Sequence, residues 1–170
     1  MASGDTIWLL SADAGMALTA TAATPGVIDS GTYFHSVRKF EKDTDSYLQY
    51  QTVVPENYTA GASLECYFQW SSVGTGGSAV ITWGIQIERH IIGTTDMGAE
   101  SFPTILTVDD TDSATADLIL ESPVRTLTNA QADGILVGES VRILVWRYDT
   151  GGTDDLAQPA DFHRLKVLEA

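Results

Sequence analysis

The chain has 170 residues, 44% of them hydrophobic, and its 23 acidic residues against 9 basic ones give a formal net charge of −14. That balance excludes nucleic acid as a direct partner, since phosphate binding needs a basic footprint, and the lone cysteine, Cys66, excludes an intrachain disulfide. No run approaches the ~18 apolar residues of a membrane span, so no membrane partner is expected. At this length one domain buries about 70% of the surface its unfolded chain exposes, enough to fold without disulfides.

Met1-Ala2-Ser3-Gly4-Asp5 lacks the positive charge that opens a signal peptide, so synthesis is expected in the cytoplasm. Thr6 to Leu10 is a short apolar run, followed by a small-residue stretch that Pro25-Gly26 breaks. Residues 1–30 therefore read as an N-terminal arm lying on another subunit, or as an edge strand of the same domain. Strands are predicted over 32–40, 47–54 and 63–70, separated by a charged turn and by a Pro–Gly turn. The loop 71–78 carries three glycines.

The clearest element is 79–90. Ala79, Ile81, Trp83, Ile85 and Ile87 share one side, while Val80, Thr82, Gly84, Gln86 and Glu88 take the other. Side chains alternate across a strand, so this reads as one apolar face and one mixed face. A polar excursion over 93–103 precedes strands at 104–108, 118–121 and 124–127, and Thr128 opens a turn. In 139–148, Val141, Ile143 and Val145 alternate with Leu144, Trp146 and Tyr148, so both faces are apolar and a central strand between two layers is expected. An acidic loop, 149–161, leads to a last strand over 162–168. The fold class is all-β: an antiparallel sandwich of jelly-roll type with eight to ten strands, occupying 31–170.

Candidate sites are few. His35, His90 and His163 form no close-spaced metal pair, and no nucleophile elbow exists, so neither a catalytic residue nor a cofactor is expected. Glu65 and Glu88 sit on the polar faces of two strong strands. They would serve glycoside hydrolysis only if those strands were neighbours, with the carboxylates about 5 to 9.5 Å apart. Acidic clusters at Asp43 with Asp45, at Asp109-Asp110-Thr111-Asp112 and at Asp149 with Asp154-Asp155 read as solvated turns. Each could also bind calcium, and the last of them, Asp149, Asp154 and Asp155, is the first to test for it. Cys66 alternates with Leu64, Phe68 and Trp70 and reads as a small core residue. Trp70, Trp83 and Trp146 read as core. Trp8, Tyr33, Tyr47, Tyr50 and Tyr58 are uncommitted, and they join Arg38, Arg89, Arg142 and Arg147 as aromatic and arginine anchors of an interface or a sugar platform. The set chosen as interface is Trp8, Leu10, Arg38, Tyr58 and Arg147.

The order of features runs from Val37-Arg38 and Tyr50 through Val54-Pro55-Glu56-Asn57-Tyr58-Thr59-Ala60-Gly61. It continues with Leu64 to Trp70, a glycine loop and Ile81-Thr82-Trp83, then Leu144-Val145-Trp146-Arg147-Tyr148-Asp149 and Asp154-Asp155-Leu156. Over roughly residues 32 to 168 this resembles the small jelly-roll head decoration (cement) proteins encoded beside the capsid genes of tailed bacteriophages. The resemblance implies a homotrimer outside a capsid, bound to the major capsid protein and bridging adjacent capsomers. The protein would then sit on the virion exterior after synthesis in the host cytoplasm. Deletion of residues 1–24 would weaken capsid attachment and leave the sandwich folded. The alternative is a carbohydrate-binding or fibre-tip receptor-binding β-sandwich module.

Overall fold

The computed structural model describes residues 4–16, 23–29, 31–32, 34–42, 46–74, 76–96, 102–149 and 153–170. Within them the period-two pattern becomes eleven strands: β1 Thr6–Ser11, β2 Thr24–Asp29, β3 Phe34–Phe40, β4 Tyr47–Val53, β5 Leu64–Ser71, β6 Val80–His90, β7 Leu106–Thr111, β8 Leu120–Glu121, β9 Arg125–Leu127, β10 Ser140–Arg147 and β11 Ala160–Glu169. Every pairing is antiparallel. The architecture is the all-β sandwich of jelly-roll type expected from the sequence.

One sheet has seven strands and the other four, in the order β4-β10-β6-β7. In the larger sheet, β5 and β11 form the centre. β3, extended outward by β2, pairs with the start of β11, and β1 pairs with its end. β8 and β9 share the far edge of β5 in the same way.

The core lies between the sheets, and Trp83 is its hub. From β6 of the smaller sheet, its ring meets Phe40 at 5.3 Å, Phe68 at 5.6 Å, Trp70 at 6.1 Å and Phe162 at 5.6 Å, all from the larger sheet. Ile81, Ile85 and Ile87 follow Trp83 inward and are fully buried. Aromatic pairs in edge-on or stacked contact add about 0.5–1.5 kcal/mol each beyond the area they bury. This one side chain therefore ties the two layers together.

Three expectations change. The eleventh strand is β2, which runs straight through Pro25-Gly26. An edge strand tolerates a proline because it needs no complete ladder. The N-terminal segment is no free arm where it is described, because β1 pairs with β11 over Thr6 to Ser11 and Gly4 N–H donates to the Glu169 carbonyl. Further on, Met16 bridges to Gln49 and Ala23 N–H donates to the Tyr47 carbonyl. The edge-strand alternative is the one observed, and Ile7 and Trp8 are buried in the sandwich. Finally, β10 is central within its sheet and buried on both faces at most positions, Arg142 and Leu144 included, but a second sheet covers only one of those faces. Val141, Ile143 and Val145 point to the core, and the opposite face is the outside of the smaller sheet.

Candidate functional site

The outer face of the four-stranded sheet is built in rows by the register of its strands. Tyr47, Trp146, Gly84 and Thr107 make one row, and Gln49, Leu144 and Gln86 the next. Gln51, Arg142 and Glu88 follow, then Val53, Ser140 and His90. In the first row the Tyr47 and Trp146 rings lie 4.9 Å apart, tilted by 44°. Gly84 leaves a gap that a side chain would close, since a Cβ there would stand 2.6 Å from Ile105 Cδ1. Ile105 instead reaches over the glycine and lies beside the indole.

Trp146 is held rather than loose. Its Nε1 donates to Gln86 Oε1 at 2.7 Å, and Gln86 Nε2 donates to the Pro103 carbonyl at 2.6 Å. Gln86 is thus used at both ends to fix the indole and the strap 102–105. The half-buried indole forms a ridge between two hollows. One, of about 400 Å³, is lined by Tyr47, Gln49, Gln86, Phe102 and Leu144. The smaller, of about 180 Å³, is lined by Gln86, Ile105 and Tyr148.

Gln49 differs from its neighbours. It is only 7% exposed, lines the larger hollow, and its side-chain amide has no hydrogen-bond partner among the described residues. The amide itself is not among the fully buried unpaired groups, so it reaches solvent through the hollow and is available to a ligand. It offers a donor and an acceptor side by side.

Beyond the hollow, the charges of Glu88 and Arg142 pair with each other. Glu88 Oε2 accepts from Arg142 Nε at 2.6 Å, with Arg142 Nη2 also in contact, and His90 Nε2 lies 3.1 Å from the same oxygen. The Phe102 ring lies 5.0 Å from the guanidinium. The result is a neutral trough with a fixed aromatic ridge and an open amide.

Most of the expected interface residues are elsewhere. Trp8, Tyr58 and Arg147 are interior, so the expectation that they anchor a partner is corrected. Trp8 Nε1 donates to the Val53 carbonyl at 3.1 Å, closing β1 over the smaller sheet. Tyr58 donates to the Ala62 carbonyl at 2.7 Å and accepts from Asn129 Nδ2 at 3.0 Å. Arg147 is fully buried and uses all five of its donors. Nε and Nη2 each meet an Asp154 oxygen at 2.8 Å, Nη1 reaches the Phe40 and Gln158 carbonyls, and Nη2 also reaches Leu156 O. Arg38 is partly buried and donates to the Ala12 and Gly15 carbonyls, and Leu10 is partly buried against the core.

The calcium candidate is distributed. Asp154 faces inward onto Arg147, and Asp155 Oδ1 accepts from Val80 N–H. Asp149 is half-buried and the loop residues 150–152 lie outside the described ones. Among the described residues no three metal-ligating side chains converge. Asp43, Asp45 and Tyr33 also fall outside the described residues. Asp109 and Asp112 are no solvated turn, because they accept from Thr82, Thr153 and Ser72 hydroxyls.

Glu65 and Glu88 do not meet. Glu65 is on β5 of the larger sheet and bonds to the Tyr67 hydroxyl, while Glu88 is on the outer face of the smaller sheet. The core separates them. Cys66 is buried as expected, and burial pushes its thiol pKa up. Trp146, read as core, is instead the centre of the candidate site. The signal that it differs from Trp83 was slight: it shares its face with Arg142 and Ser140, whereas Trp83 shares its own with isoleucines.

No protein-family model matches the chain, and no curated protein matches it in sequence. Solved structures do match. A family 35 carbohydrate-binding module from Clostridium thermocellum aligns over 96% of this chain and 98% of its own, at 13% identity and a TM-score of 0.54. The chain shares its fold. The CBM22-2 xylan-binding domain of Paenibacillus barcinonensis Xyn10C aligns over 96% of this chain and 99% of its own, at 11% identity and TM-score 0.53. An exo-β-1,3-galactanase from Phanerochaete chrysosporium is matched over 98% of this chain but only 30% of its own, at 15% identity and TM-score 0.52. At such identities the likeness concerns the fold alone.

Proposed function

We propose that the chain is a carbohydrate-binding module that holds a glycan on the outer face of its four-stranded sheet. The observation that carries this is the fixed Tyr47–Trp146 pair beside the unpartnered Gln49 amide. A sugar ring presents apolar C–H groups on one face and paired hydroxyls at its rim. An aromatic ridge covers the first, and a side-chain amide bonds the second. The neutral trough suits an uncharged glycan. A shared fold supports the reading without choosing the ligand.

The test is calorimetry against a panel of soluble neutral polysaccharides. Trp146→Ala should abolish binding while the far-ultraviolet dichroism stays unchanged, and Gln49→Ala should weaken it by about tenfold, as expected for loss of one hydrogen bond to a ligand. If no glycan binds, or if Trp146→Ala binds as well as the parent, the reading fails.

One observation favours self-association of the chain as a second proposal. Ile91, Ile92, Val53, Leu136 and Val137 gather exposed at one end of the same sheet, with Ile92 98% exposed. An apolar rim of this kind suits a protein partner or a trimer contact. Light scattering of the parent and of Ile92→Asp decides it. A trimer that dissociates in the variant supports this reading, and a monomer in both removes it.

A further inference from the structure

The seven-stranded sheet has a hollow of its own, of about 520 Å³, far from the Trp146 face. Its floor breaks the strand rule. His163 and Arg164 are consecutive on β11, yet both line it. Regular strands send neighbours to opposite faces. Here the register slips between Phe162 and Arg164, so His163 has no partner on β5. A β-bulge re-aims a side chain in this way.

The chemistry gathered there is unusual for so acidic a chain. Arg164 is exposed and makes no ion pair or hydrogen bond among the described residues. Five other cations form ion pairs: Lys39 with Asp161, Arg89 with Glu139, Arg142 with Glu88, Arg147 with Asp154 and Lys166 with Glu121. His35 and Ser36 stand on the facing strand β3. His163 Nε2 lies 2.9 Å from the buried Ser71 hydroxyl, which leaves Nδ1 for the hollow. Phe34 is 72% exposed at the rim, with Ile119 opposite. Among the described residues Asp13 is the one acid lining the hollow, and Arg38 donates to the carbonyls of Ala12 and Gly15 that flank it.

We propose that this hollow is a second binding site, for an oxyanion carried on a small ligand with an apolar face. Arg164 and the imidazoles take the oxyanion, and Phe34 covers the apolar part. A guanidinium is suited to oxyanions by its planar fork of donors, and an anion draws protons onto nearby histidines. Affinity therefore rises as the pH falls and His163, which burial holds below the usual imidazole value, takes up a proton. Burial, which lowers the His163 pKa, is the largest influence on the effect, and the groups facing the ring modulate it. His35 and Arg164 oppose its protonation, while Asp117 and Asp161 favour it, the latter already shared with Lys39.

The experiment is a ¹⁵N-resolved titration of the full chain with inorganic sulfate and with phenyl sulfate, whose charge is constant between pH 5.5 and 7.5. Saturable shifts at residues 34–36 and 163–164 are expected, tighter at the lower pH and tighter for phenyl sulfate. Arg164→Gln should weaken both probes by about tenfold, the scale of a lost charge-assisted bond. His163→Gln should reduce the pH effect, and Phe34→Ala should remove the advantage of phenyl sulfate. Absence of saturable shifts, equal binding by Arg164→Gln, or tighter binding at pH 7.5 each overturns the proposal. None of these outcomes bears on the Trp146 face.

Discussion

At the residue scale the most consequential pair is Arg147 with Asp154. Both side chains are fully buried, and the guanidinium meets the carboxylate through two bonds while its remaining donors take three carbonyls. Removing one partner leaves an uncompensated charge in the core, which costs about 3–5 kcal/mol. Asp154→Ala should lower the midpoint of urea unfolding accordingly, and an unchanged midpoint would mean the pair is not formed. His163 gives a second residue-level outcome. Burial holds its pKa below the usual imidazole value, against the pull of Asp161. The unfolded chain therefore takes up its proton first, and stability falls as the pH drops between the unfolded and folded values. Urea titrations at pH 7.5 and pH 5 should show a loss in the parent that is smaller in His163→Gln. Sulfate, if it occupies the second site, should restore part of that loss.

At the element scale, β1 decides between an arm and a strand. Burial of Ile7 and Trp8 contributes about 1.5–3 kcal/mol each, and the ladder to β11 is lost with them. Deleting residues 1–11 should therefore lower the thermal midpoint, whereas a true arm would leave it unchanged. The sequence expectation of an untouched sandwich is replaced by this one. β6 and β10 show how legible the elements were. The isoleucine and tryptophan alternation of β6 is one-sided, so its core face could be read directly. β10 is apolar on both faces, and period two alone does not say which face another layer covers. Alternation alone therefore places Trp146 in the core, whereas the structure puts it on the outer face.

At the scale of the whole molecule, the two sheets turn different surfaces outward. The smaller carries the neutral aromatic trough, and the larger carries the bulged cationic hollow. Around both lies a strongly acidic surface. A net charge of −14 on one small domain repels itself. Raising sodium chloride from about 0.01 M to about 0.15 M shortens the screening length from about 30 Å to about 8 Å and should raise the thermal midpoint. A midpoint that falls would mean that attractive surface pairs outweigh the repulsion.

Sequence by itself determined the class of fold, the identity of most strands and the inward face of β6. These follow from alternation, a property of neighbours along the chain. The tertiary structure alone decided that β1 closes on β11, that Arg147 and Asp154 leave the surface together, and that Glu65 and Glu88 lie on opposite sides of the core. It also brought Tyr47, Gln49, Gln86 and Trp146 onto one face, with Gln86 and Trp146 bonded across 60 residues. Such a site depends on strand order and register, which pairing between distant segments sets, and one chain's local pattern does not encode that pairing in readable form.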